Sequence, residues 1–276
     1  MRTARRNLIV LLIGVLLALL LGEGLLGWLD PLGFAYYRDQ SDLGALLIPD
    51  PRGYNFQAGT HKLREFTFTL LPDGTRAVPD TNLAAPKTLV FMGDSVTFGY
   101  GVNDQQTWVD LVAKALPDVH VIDAGVSGYN SANVLRTLAQ YPQADALVYL
   151  IINNDAEPEN QPDFAHVHAA YQPSWIALYL LNLPEYLSPV SADQEIAQSD
   201  VPRYLSDLRQ ILADQRVLAL GFDDAFTQMT IKAGYPVSVI ERGTDRVSPA
   251  DGHPGVRGNQ AIARQVLPMI RQHFGM

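Results

Sequence analysis

Lys87-Thr88-Leu89-Val90-Phe91-Met92-Gly93-Asp94-Ser95-Val96-Thr97-Phe98-Gly99 is the stretch that decides the fold. Its first half is largely apolar, without alternation, the pattern of a strand covered on both faces. Gly93 ends the strand. A serine set between a strand end and a helix start sits where helical N–H groups and the helix dipole stabilise a developing anion. Taken alone, Gly93-Asp94-Ser95 equally fits an N-cap turn, where Asp and Ser are common. The segment lacks the Lys and Ser/Thr pair of a nucleotide-binding phosphate loop.

Outward from this stretch the same pattern repeats. Val119 to Ile122, Ala146 to Ile152, Val217 to Leu220 and Val237 to Ile240 read as further strands. Trp108 to Leu116, Ser131 to Gln140, Arg203 to Gln215, Asp224 to Ala233 and Gly255 to Phe274 have helical spacing. Apolar strands alternating with helices predict an α/β domain, residues 87–276, with a parallel sheet covered on both faces. Such sheets bind ligands at the carboxyl ends of their strands. Four polar loops then share one rim: Gly93 to Gly99, Asp123 to Asn130, Asn153-Asn154-Asp155, and Asp251-Gly252-His253-Pro254. Glycines in the second loop let backbone approach a ligand. An Asn amide in the third can donate to an oxyanion, and a His with a nearby carboxylate in the fourth is the usual general base.

In this order the four blocks resemble the SGNH/GDSL hydrolase superfamily, in its bacterial membrane-anchored form. The string from Gly93 to Val102 is the most specific part. The resemblance implies a three-layer α/β/α sandwich with a flavodoxin-like, five-stranded parallel sheet. It implies Ser95 as nucleophile, His253 as general base and Asp251 as the acid. It implies an oxyanion hole from the Ser95 N–H, the Gly128 N–H and the Asn154 side chain, with Asp94 and Asp155 in support and no cofactor or metal. Three positions depart from the family's pattern. Asp251 precedes His253 by two residues rather than three, which leaves Asp245, solvent or a backbone carbonyl as alternative partners of the imidazole. Asp123 stands where an Asn often opens the second block, and Ile152 where the third often has Gly.

The N-terminus carries a separate signal. Arg2, Arg5 and Arg6 precede an apolar run from Leu8 to Leu29, 22 residues broken only by Gly22-Glu23-Gly24, against the roughly 20 a helix needs to cross a bilayer. Residues 1–29 read as a signal anchor, with a cleaved signal peptide and a buried soluble helix as the competing readings. No Ala-x-Ala site follows the run. The arginines stay inside, which sets a single-pass protein in a bacterial inner membrane with its catalytic domain outside, or a secreted one after cleavage. Glu23 is costly in mid-bilayer but lies near the outer end.

Residues 30–86 form a β-containing lead-in without a long helical period; Phe66, Phe68 and Leu70 alternate with Thr67 and Thr69 as a strand, and Pro72-Asp73-Gly74 is a turn. Residues 156–200 interrupt the α/β alternation. Their apolar patch, Trp175 to Leu181, is a lid or acyl pocket, or an extra helix completing the core. His166-x-His168 has metal-ligand spacing without a nearby third ligand.

The chain of 276 residues has a formal charge of −9. Residues 1–29 contribute three Arg and one Glu, net +2, which leaves −11 for the remainder. That acidity argues against nucleic acid as partner and against a basic patch docking on anionic lipid. No cysteine is present, which removes disulfides and thiolate metal sites. The function expected is ester hydrolysis through an acyl-enzyme on Ser95, acting on small acyl groups such as acetyl esters of carbohydrate or other small esters outside the cytoplasm. The alternatives are an O-acetyltransferase of envelope polysaccharide, a lipase, and a non-catalytic binding module. Natural substrate and oligomeric state stay open.

Overall fold

The computed structural model describes residues 2–158, 174–189 and 191–276; His166 and His168 lie outside them. The apolar N-terminal run is one uninterrupted helix, α1 (Arg2–Leu29). By length and composition it can cross a membrane, and none of its most apolar window is covered by the rest of the protein. Asp30 ends it with φ at 34°, and its carboxylate accepts the Phe34 and Ala35 N–H groups at 2.9 and 2.8 Å. Those bonds start α2 (Ala35–Gly44), a helix in the lead-in that the hydrophobic period does not predict. The reason lies in its buried seam of Ala35, Asp39 and Leu43. A carboxylate takes the middle place, where it accepts the backbone N–H groups of Arg64 and Glu65, each at 2.9 Å.

Two antiparallel hairpins follow, β1 (Leu47–Asp50) with β2 (Gly53–Phe56), and β3 (Gly59–Lys62) with β4 (Thr67–Leu70). Their Tyr54, Phe56, Phe68 and Leu70 pack on Phe98, Tyr100, Val126 and Tyr129 of the main domain. The lead-in then runs into β5 (Lys87–Met92), which opens the α/β domain. After it come α3 (Ser95–Phe98), α4 (Trp108–Ala115), β6 (Val119–Asp123), α5 (Ser131–Leu138), β7 (Ala146–Ile151), α6 (Trp175–Leu187) and α7 (Ala192–Gln198). The chain closes with α8 (Val201–Ile211), β8 (Val217–Phe222), α9 (Ala225–Lys232), β9 (Ser238–Ile240), a hairpin of β10 (Arg246–Ser248) and β11 (Asp251–Pro254), and α10 (Val256–Phe274).

The central sheet has the order β6-β5-β7-β8-β9, all parallel. This is the flavodoxin-like order, with its switch point beside β5. Side chains alternate between two cores. Leu89, Phe91, Val148 and Leu220 pack under α4 and α10; Val90, Met92, Leu147 and Ala219 pack under α5, α8 and α9. Three layers result, and the central strands β5 and β7, which carry the first and third rim loops, are buried on both faces where they reach the rim.

Of the 156–200 stretch, the described helix α6 packs on α1. The Glu23 carboxylate accepts the Trp175 and Ile176 N–H groups at 2.6 and 3.0 Å, satisfying donors that a helix N-terminus leaves unpaired. Tyr179 donates to Asp30 at 2.7 Å, and the guanidinium groups of Arg38 and Arg64 lie 4.1 and 4.6 Å from the Trp175 ring centroid. The acid that interrupts the apolar run is thus part of a helix–helix joint.

Candidate active site

Ser95 is the first residue of α3, and its position follows from Gly93 and Asp94. Gly93 has φ at 152°, and a Cβ there would meet the Thr97 hydroxyl and the Leu150 carbonyl; only glycine lets the chain turn off β5 this tightly. Asp94 caps α3 by accepting the Val96 N–H at 2.9 Å. Arg76, from the lead-in, closes the other end. Its guanidinium is 1% exposed and donates to the carbonyls of Phe98, Gly99 and Val102 at 2.5 to 2.8 Å, with Asp104 as counter-ion.

His253 comes from β11, in the hairpin that follows β9 in the chain. Its Nε2 lies 2.8 Å from Ser95 Oγ, and its Nδ1 lies 2.5 Å from Asp251 Oδ1. The same Asp251 oxygen accepts the His253 backbone N–H at 2.8 Å. This double contact is what a two-residue spacing allows: the acid folds back on both the ring and the main chain of its partner. Burial alone would raise the Asp251 pKa, but the His253 ring, its backbone N–H and Arg246 together hold it below the ordinary value. The Tyr100 ring packs 4.7 Å from the imidazole. Asp245 is elsewhere. It accepts the Arg257 and Gly258 N–H groups at 2.9 and 3.1 Å and so caps α10.

Ser95 Oγ also donates to Asp94 Oδ2 at 2.7 Å. One hydroxyl proton therefore has two acceptors within reach, the carboxylate and the neutral imidazole. Asn154 Nδ2 donates to the same Asp94 oxygen at 3.1 Å, which uses one of its two N–H bonds and leaves the second for a ligand. Asp155 stands beneath. Its carboxyl is fully buried and accepts the Ile152 N–H at 2.9 Å, so it shapes the turn that presents Asn154. Burial pushes its pKa well up, and the Asp94 charge adds to that.

Ser95, Asn154, Asp94, Asp251 and His253 line one cleft of about 310 Å³, together with Asn153, Ile152 and Arg242. Gly128 does not line it. It sits exposed in a left-handed turn with φ at 84°, although its loop is tied to the turn before Ser95 by a Val126 N–H to Gly93 carbonyl bond of 3.2 Å. Tyr37 and Gln40 of α2 also face the cleft, and no pattern in the lead-in signals them. Arg242 was within reach of the rim rule, since it follows β9 directly. Among the described residues no group of three or more His, Asp or Glu side chains is arranged to hold a metal ion.

Neither a family model nor a curated protein matches the chain. Solved structures do. TesA matches at 16% identity and a TM-score of 0.41, over 68% of this chain and 99% of that one. A carbohydrate acetylesterase family member from Sinorhizobium meliloti matches at 18% and 0.36, over 69% and 100%. The esterase EstA from Pseudoalteromonas sp. matches at 14% and 0.43, over 69% and 100%. At such identities the chemistry of the cleft has to be argued from its own atoms.

Proposed function

We propose that the chain is a carboxylic ester hydrolase of the SGNH/GDSL type, with Ser95 as nucleophile. The observation that carries this reading is the continuous relay from Ser95 Oγ through His253 to Asp251, spanning 2.8 and 2.5 Å. His253 takes the Ser95 proton at Nε2 as Oγ attacks the ester carbonyl. Asp251 holds the proton on Nδ1 and stabilises the imidazolium. The Ser95 N–H and the second Asn154 N–H are donors for the oxyanion, with Gly128 proposed as a third; losing one such donor costs about 10²–10³ in rate. The imidazolium returns its proton to the leaving alcohol, and an acyl-enzyme remains. Water, deprotonated by His253, then releases the acid and regenerates Ser95.

The substrate class we infer is small acyl esters, acetylated carbohydrate among them, outside the cytoplasm. The modest cleft volume supports short acyl groups. The basic start and apolar length of α1 support a membrane tether with the arginines inside. Full-length protein in detergent should hydrolyse p-nitrophenyl acetate, and a fluorophosphonate probe should label it at Ser95. Ser95→Ala should lose both. Equal turnover by the two proteins would end the assignment.

One observation favours a second reading, an envelope O-acetyltransferase. The Ala250 N–H donates to the Leu32 carbonyl at 3.0 Å, so the loop before His253 is bonded to the chain just past α1. A site held that near the tether suits a membrane-borne acyl donor. Acetate release unchanged by a glycan acceptor, with no acetylated glycan formed, would count against transfer.

A further inference from the structure

Arg242 is the one lysine or arginine among the described residues lining the Ser95 cleft. It lies on the rim two residues beyond the end of β9. Its guanidinium carbon stands 4.4 Å from the ring centroid of Phe222, a residue 1% exposed at the end of β8. An aromatic shelf of this kind fixes a planar guanidinium in one orientation.

What this arginine lacks is an ion-pair partner. Arg52, Arg76, Arg203, Arg216 and Arg257 are paired with Asp50, Asp104, Asp207, Asp214 and Asp245. No carboxylate pairs with Arg242 among the described residues. Arg246, of the same sign, lies in the same loop, with its Nη1 turned to the Gly252 carbonyl. Burial, with the Arg246 charge adding to it, outweighs the attraction of Asp224 and Asp94, neither within ion-pair distance, and lowers the Arg242 pKa, yet a guanidinium stays charged at any physiological pH. A partly desolvated cation without a partner is unfavourable. In a chain with 29 acidic residues, a carboxylate to neutralise it was not in short supply. Arg242 lines the same cleft as Ser95.

We propose that Arg242 is a specificity-determining residue that binds an anionic group, carboxylate or phosphate, carried by the ester substrate. This rests on the ester-hydrolase reading of the same cleft. The guanidinium pairs with two oxygens of the anion in a fork that lysine or a neutral amide cannot reproduce, and so fixes the ester relative to Ser95. The substrate is thereby an acidic acyl ester, such as an O-acylated acidic glycan or an acylated phosphate-bearing alcohol, in preference to a neutral one.

The test compares matched esters on the full-length protein in detergent. For an anion on the acyl side the pair is p-nitrophenyl hydrogen succinate and p-nitrophenyl butyrate. For one on the alcohol side, m-acetoxybenzoate and m-acetoxyphenyl phosphate are compared with phenyl acetate; the two acids separate carboxylate from phosphate. Wild type should favour at least one anionic member. Arg242→Gln should lower kcat/KM for that member by roughly 10–100-fold, mostly through KM, and leave its neutral counterpart within about twofold. Arg242→Lys should restore part of the loss. Equal loss on neutral and anionic esters, or no anionic preference in wild type, overturns the proposal. Calorimetric binding of benzoate and phenyl phosphate to the Ser95→Ala protein reads the anion site without turnover. Binding that Arg242→Gln abolishes supports the proposal even if no ester is cleaved, the result by which the hydrolase reading itself would fail; binding equal in both proteins, or absent from both, overturns it.

Discussion

His253 needs one partner to hold its Nδ1 proton, and the geometry nominates Asp251 over Asp245. Asp251 is 8% exposed and meets both the ring and the backbone of His253; Asp245 is spent on the first N–H groups of α10. The two acids therefore separate by readout. Asp251→Asn keeps the shape but offers the ring an amide, which favours the wrong tautomer. It should lower kcat by up to about 10⁴ with little change in stability. Asp245→Ala should instead cost about 1 kcal/mol through a lost helix cap and leave kcat near wild type. Steady-state kinetics beside thermal unfolding of the two variants decides the matter, and an Asp245→Ala protein with the larger kcat loss would reverse the assignment. Asp94 belongs to the same scale. Its Oδ2 accepts from both Ser95 Oγ and Asn154 Nδ2.

The four-residue helix α3 is too short to hold itself, and what holds it comes from outside the α/β domain. Arg76 satisfies three carbonyls at its C-terminal side while buried. Arg76→Ala would strand Asp104 without its counter-ion and leave those carbonyls unpaired. We expect a loss of about 3–5 kcal/mol in denaturant unfolding, and a lower kcat in the fraction that stays folded, because Ser95 rides on α3. Arg76→Lys should recover only part, since an ammonium lacks the fork that spans three acceptors. Unchanged unfolding in Arg76→Ala would show that the lead-in does not brace α3. This clamp was not legible in the sequence, where Arg76 is one charge in a polar stretch. The strands were, because runs such as Leu147 to Ile151 are apolar on both faces and admit few other structures. Helix α2 was not, because Asp39 breaks its apolar seam. The joint between Glu23 and α6 was not either, because its halves are about 150 positions apart. Of the expected site, Ser95 and Asn154 follow the buried strands β5 and β7, and Asp251 and His253 lie in the hairpin strand β11 that meets them. Gly128 is exposed in its turn and does not line the cleft.

At the scale of the molecule, acidity and burial oppose each other. Several carboxyls sit inside a protein of formal charge −9, and Asp110 shows the consequence most simply. It is 1% exposed. Its Oδ2 accepts from the Gln105 N–H and the Thr107 hydroxyl, each at 2.9 Å, while Oδ1 has no partner. Burial outweighs these bonds and the attraction of Arg76, and pushes the pKa from the ordinary 3.8 up to about 6. Between those two values the folded state binds more protons than the unfolded chain, so this group lowers stability as pH rises through the window, and its full penalty stands above about pH 6. Asp110→Asn keeps an acceptor for both donors and cannot ionise. The variant should match wild type near pH 4 and exceed it near pH 7.5 by at most about 3 kcal/mol, which corresponds to several degrees in Tm at roughly 2–4 °C per kcal/mol. Thermal unfolding at both pH values provides the check. A difference between the two proteins that is the same at both would mean that Asp110 titrates alike in the folded and unfolded chain, and that burial in this core does not reach its carboxyl.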